Sequence, residues 1–146
     1  MDYRTGKIGR IFAIRFDDGD DFLQGLIDVV KKEHIQAGWF SMIGGLRHAE
    51  VVTGPEEPSM PPKPVWATVD GAMEVVGVGS VFWDEADEPK IHLHTALGHH
   101  GQTMTGCVRK EAKTYLILEV YLTEITDMVA TRPWFLAGQF NRLTFS

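Results

Sequence analysis

KIHLHTALGHHGQTMTGCVRK, residues Lys90 to Lys110, decides how this chain of 146 residues is read. It holds four of the six histidines and the only cysteine. Successive side chains on a strand point to opposite faces, so His92 and His94 point the same way, roughly 6.5–7 Å apart along the strand. HHGQ, His99 to Gln102, is read as the turn that reverses the chain. With those four residues as the loop, Gly98 pairs with Thr103, His94 with Cys107 and His92 with Arg109. Directly opposed residues share a face. His92, His94 and Cys107 are therefore expected to project together from one side of the hairpin. A loop one residue shorter or longer would send Cys107 to the other face.

Two imidazoles and a thiolate suit Zn²⁺, and three protein ligands leave a fourth position open for water. Other divalent transition metals bind such sets too. An HxH pair is also what ordinary surface or core histidines look like, and on these residues alone both readings stand. His99 and His100 read as exposed turn residues. A cupin would need a glutamate soon after HxH, and TALGHHGQ contains no acid. There is no GxSxG, P-loop or HExxH pattern. Gly77 and Gly79 form a GxG inside a strand pattern with no helix after it, which is not a dinucleotide fingerprint. Glu119, in YLILEVYL, is a carboxylate in an apolar strand. It either orients a ligand histidine from behind or faces solvent or an arginine.

The length suggests one domain, residues 1–146. At 44% hydrophobic and 23% charged the chain has an ordinary globular composition. A single cysteine excludes an intrachain disulfide. No signal peptide and no membrane-length apolar run is visible, so the expected location is the cytoplasm, without a membrane partner. Acidic residues outnumber basic ones 20 to 14, a net charge of -6. DNA binding rests largely on Lys and Arg neutralising phosphates. The densest basic cluster, Arg109, Lys110 and Lys113 with Glu111 inside it, reads as a solvated strand end.

IGRIFAIRF, Ile8 to Phe16, alternates as a mostly buried strand. DDGDD then turns the chain into a helix, with Asp20 as the expected N-cap. Phe22, Leu23, Leu26, Ile27, Val29 and Val30 have helical spacing, and Gly38 is the expected stop. Trp39 to Gly54 reads as one or two strands with a bend or bulge at Gly44-Gly45. Pro55 to Pro64 carries five of the seven prolines and reads as an irregular loop. Met73–Trp83, Lys90–Gly98, Thr103–Arg109, Thr114–Glu124 and Trp134–Phe145 are further strand-like segments. The expected class is α+β: a mostly antiparallel mixed sheet of about seven strands with one main helix.

IHLHTALGHHGQTMTGCV resembles the signature of the plant and prokaryote conserved (PPC) domain, found in AT-hook nuclear proteins and in stand-alone prokaryotic proteins. That signature is an HxH strand, a glycine-containing turn and a Gly-Gly-His segment. GRIFAIRFDDGDDFLQGLIDVVKKEHIQAGWFSMIGGLRHAEV, GAMEVVGVGSVFW and YLILEVYLTEI resemble the family's other elements, so the likeness runs from about Gly9 to Ile125. The resemblance implies a PPC-like fold assembled as a homotrimer, and carries His92, His94, Gly98, Gly101 and Gly106 onto the signature. Where the family has Gly-Gly-His, this chain has Thr105, Gly106 and Cys107. The substitution either breaks a histidine set or keeps three ligands with sulfur in place of nitrogen. DNA contact in the plant proteins comes from the AT-hook, and this chain has no such segment.

The expected function is metal binding through His92, His94 and Cys107, with Zn²⁺ or another divalent transition metal. In a hydrolytic version, a metal-bound water would be the nucleophile, and no general base stands out. The alternative is a trimeric protein-interaction module linked to transcriptional regulation without direct nucleic-acid contact. A small molecule or a protein is the expected further partner.

Overall fold

Strand β1 (Lys7–Asp17) runs antiparallel to the last part of a long strand, β5 (Gln102–Thr126). Between them in sequence come helix α1 (Phe22–Lys32) and strands β2 (Ala37–Pro55), β3 (Pro64–Trp83) and β4 (Pro89–His99). The computed structural model describes all residues from Met1 to Ser146. Every pairing is antiparallel, in the order β1-β5-β2-β3-β4, and β4 also pairs with β5. The sheet is therefore not mixed. Strands β2, β3, β4 and β5 close a ring of hydrogen bonds, and β1 lies outside it as an edge.

The ring closes because β5 is used twice. Its first residues pair with β4 and its last with β1, while β2 lies beside both parts. Thr103–Arg109 and Thr114–Glu124, expected as separate strands, are this one strand. Register shifts and the positive-φ residues Glu111 (φ 50) and Leu116 (φ 57) let it coil without ending. The irregularity expected at Gly44-Gly45 is present as a register shift against β5. Two two-residue ladders, β6 (Ala130–Thr131) with β9 (Thr144–Phe145) and β7 (Trp134–Phe135) with β8 (Phe140–Asn141), replace the strand expected over Trp134–Phe145.

The apolar alternation is what the ring encloses. Phe40, Met42, Leu46 and Val51 of β2, Val75 and Val81 of β3, Leu93 and Leu97 of β4, and Leu118, Val120 and Leu122 of β5 form one buried cluster. Helix α1 adds Phe22, Leu26 and Val30 from one face, all fully buried. Each such side chain contributes about 1.5–3 kcal/mol by leaving water. Strand β1 is less buried than its alternation suggests. Of its residues only Phe16 is buried, and Ile8 and Ile11 are exposed, because an edge strand has protein on one side only.

The helix ends differ from expectation at both termini. The N-cap is Asp21, whose carboxylate accepts from the Gln24 N–H at 3.1 Å; Asp20 instead accepts from the Asp17 N–H and closes the turn. At the other end His34 takes φ 53, Ile35 N–H reaches Val30 O and His34 N–H reaches Lys31 O. This is a Schellman stop with histidine in glycine's place, and the buried pair Val30 and Ile35 seals it. Gly38 lies inside β2. Another histidine, His48, sits at a register shift in β2, with Nδ1 2.5 Å from Asp70 and Nε2 3.4 Å from Glu111. The Asp70 hydrogen bond raises its pKa above the usual imidazole value. No helix is long and apolar enough to cross a membrane.

Candidate metal centre

The β4–β5 hairpin has the register that the sequence count gives. Gly98 opposes Thr103, and His94 opposes Cys107. His99 and Gln102 also pair, so the turn proper is His100-Gly101. Both turn residues have positive φ, 49 and 78, the pattern of the tight turn that suits strand twist. The ladder ends at His94 and Cys107. The expected facing of His92 and Arg109 is not formed, because β5 there turns toward β2; the opposite neighbour of His92 is Ser80 of β3.

Leu93, Thr95 and Leu97 point into the ring and are buried, so His92 and His94 point outward and are exposed. A row of opposed residues on this outer face runs Tyr121, Ser41, Val78, His94, Cys107, Val52, Trp66. Starting on β5, it passes once round the ring and meets β5 again at Cys107. Cys107 shares the outer face with His94, yet is only 5% exposed. Gly106 explains how closely β2 approaches there: a Cβ on it would lie 2.5 Å from Val51 Cγ1 and 2.7 Å from Val52 O.

The structure brings all three sequence-predicted residues together. One donor atom from each of His92, His94 and Cys107 falls within 4.8 Å of the others. His92 Nε2 and His94 Nε2 are 3.1 Å apart. A tetrahedral ion bound at about 2.0–2.1 Å would hold two nitrogens roughly 3.3 Å apart. That separation is a ring-to-ring hydrogen bond here and is also close to the spacing two ligand nitrogens need. Partial burial, first, and then the charges of Arg132, His94 and Arg109 lower the pKa of His92. Its ring is therefore neutral at neutral pH, with a lone pair to donate. By donor chemistry and spacing, the set fits a divalent transition metal.

Other candidates stand apart. His99 Nδ1 is 2.9 Å from Ala72 O, and His100 occupies the turn. Glu119 accepts from the Tyr121 hydroxyl at 2.6 Å and opposes Arg15 and Ile43. It makes no hydrogen bond to His92 or His94, so within one chain it does not orient the histidines. Gly77 and Gly79 leave room for Met42 and Phe40 in the core.

Arg132 is the residue that sequence reading missed. It is 4% exposed, and its Nη1 donates to Ser80 O and Lys90 O, both at 3.0 Å, while Nη2 donates to Ser80 Oγ at 2.8 Å. Its N–H also ties the tail to Trp83 O. Ser80 opposes His92, so the guanidinium lies over the outer face beside that ring. Burial pushes its pKa down to about 10. The available signal was an arginine in TRPWF, a segment without an acid, but nothing in it points to β4.

Three solved structures share this fold. The metal-containing protein of Archaeoglobus fulgidus superposes with a TM-score of 0.84 at 20% identity, over 99% of each chain. A PPC protein of Pyrococcus horikoshii gives 0.84 at 22% identity, over 100% of this chain and 99% of that one. A Ralstonia eutropha protein provisionally described as DNA-binding gives 0.71 at 22%, over 92% and 90%. Among curated proteins none matches. The family model of the Plants and Prokaryotes Conserved (PCC) domain, also written PPC, matches residues 3–126, most of the chain, and the protein belongs to that family.

Proposed function

We propose that this protein binds a divalent transition metal, zinc foremost, through His92, His94 and Cys107. The convergence of two imidazole nitrogens and one sulfur within 4.8 Å carries the reading. An ion held by three protein ligands keeps a position open to water or a solute. The metal-containing Archaeoglobus relative, similar in fold, adds support. A ligand thiol has to stay reduced, which suits the cytoplasm. Elemental analysis of untagged protein is expected to give close to one metal per chain. The His94→Ala variant, which loses one donor on an exposed face, is expected to fold and to give almost none. A parent protein that stays metal-free after zinc is added back would overturn the reading.

A second observation favours homotrimeric assembly, with the chain acting as an interaction module. Ile11, Trp39, Ile43, Val76, Val78 and Tyr121 are 45–70% exposed. Pairing places Ile43 opposite Val76, and Val78 and Tyr121 on either side of Ser41. A contiguous apolar face of this kind marks an interaction site. Trp39 and Trp134 are exposed aromatics, whereas Phe40 is fully buried and Phe135 packs on Phe140. Sedimentation equilibrium should give three copies, and Val78→Glu should shift the mass toward one. A parent that sediments as a monomer at high concentration excludes the trimer.

A further inference from the structure

The outer face around the metal centre is cationic in a chain whose net charge is -6. Four basic side chains lie there. Lys90, two residues before His92, is neutralised by Asp84 at 2.9 Å. Lys110 lies over the Trp66 ring and opposes Glu50. The two arginines have no acid. Arginine ion pairs in this molecule are made by Arg4, Arg10, Arg15 and Arg47, and neither Arg109 nor Arg132 takes part in one. Arg109 lies two residues beyond Cys107, at the bulge where the register of β5 against β2 shifts, and it is exposed.

Arg132 is the less usual case. A buried charge is normally paired. Here the guanidinium touches only neutral acceptors, two carbonyls and a hydroxyl, and stacks 5.0 Å above the Phe82 ring. Those contacts leave Nε–H and one Nη2–H without a protein acceptor. The nearby acids are engaged elsewhere: Asp84 with Lys90, Glu88 with Lys31, and Glu85 with the Trp134 N–H. A divalent ion with one thiolate adds a further net positive charge. Such a site attracts anions and repels cations.

We propose that the centre takes an anionic oxygen ligand, the carboxylate or phosphate group of a small molecule, held between the open metal position, Arg109 and the uncompensated charge of Arg132. This rests on the metal reading above. Arg109, exposed and unpaired, makes the direct contact, with a planar fork that matches either group. Arg132 is a positioning residue: fixed to Ser80 and Lys90, it holds positive charge behind His92. The ligand supplies the counter-charge that the chain withholds.

The experiment uses the cobalt-loaded full chain, titrated with inorganic phosphate, acetate and, as a neutral probe, imidazole, followed by the visible spectrum of the metal. Phosphate or acetate is expected to shift the spectrum saturably. Arg109→Ala should raise the Kd of that anion about tenfold or more, the worth of a charged hydrogen bond. Imidazole binding should be unchanged in the variant. Arg132→Met should weaken anions in the same selective way; Arg109, being exposed, keeps the test valid if Arg132→Met does not fold. The tighter of the two anions names the ligand class. Cobalt-loaded protein that ignores both anions, or Arg109→Ala that binds them as the parent does, overturns this inference and leaves the metal reading standing. Protein that takes up no cobalt overturns both.

Discussion

Cys107→Ala is expected to lose the metal while keeping the fold, and Cys107→His is expected to keep both. Structural zinc sites gain about 10–16 kcal/mol from four ligands, so one ligand is worth roughly 3 kcal/mol, about a hundredfold in affinity. Cys107 opposes His94 directly, so an imidazole at this position begins on the correct face and keeps three donors. The structural cost of Cys107→Ala is small by comparison, about 1 kcal/mol for one buried sulfur. Cobalt makes the distinction visible. The parent should show sulfur-to-cobalt charge transfer; Cys107→His should bind cobalt without that band; Cys107→Ala should need about a hundred times more cobalt. If Cys107→Ala bound cobalt as tightly as the parent, sulfur would not be a ligand and the histidine pair would stand alone.

Why could this cluster be read from sequence when Arg132 could not? The hairpin is local. Side-chain alternation places His92 with His94, and a tight turn fixes which β5 residue opposes them; together these need only the residues from His92 to Cys107. Gly101, at φ 78, and His100, at φ 49, hold the turn that keeps Cys107 on the outer face. Arg132 reaches the same face through the tail, by hydrogen bonds to Ser80 and Lys90 that span 52 and 42 residues. No periodicity encodes such a contact. The helix shows the same division. Phe22, Leu26 and Val30 were legible from their spacing, whereas the choice of Asp21 over Asp20 as N-cap depends on which carboxylate the turn leaves free. The stop fell at His34 because the Val30–Ile35 contact outweighs glycine's preference for positive φ. Two apparent strands merged into β5 because its bulges carry Glu111 and Leu116, residue types that do not announce a left-handed backbone.

Gly44→Val is expected to be the most damaging single change outside the apolar core. Gly44 marks where β2 bends as β5 passes from one half of the ring to the other, and the pairing register shifts between it and Gly45. Its φ is +137, and a Cβ there would lie 2.3 Å from Ile117 O and 2.8 Å from Leu118 Cα. Both obstacles are backbone and cannot rotate away. Holding a non-glycine residue in such a conformation costs about 1–3 kcal/mol. Overpacking adds a further ~1–3 kcal/mol. The sum, roughly 2–6 kcal/mol, is a large part of the ~5–15 kcal/mol that typically separates folded from unfolded chains. Gly98→Ala is the matched control. It lies on the signature hairpin, but its nearest neighbour would be Glu74 O at 3.8 Å, ordinary contact, so a shift within about 0.5 kcal/mol is expected. Urea midpoints measured at one fixed protein concentration separate the two, since any assembly would make them concentration-dependent. A Gly44→Val protein that unfolds at the parent's midpoint would mean that β2 can bend there by another route, and that the closing of the ring does not depend on the missing side chain.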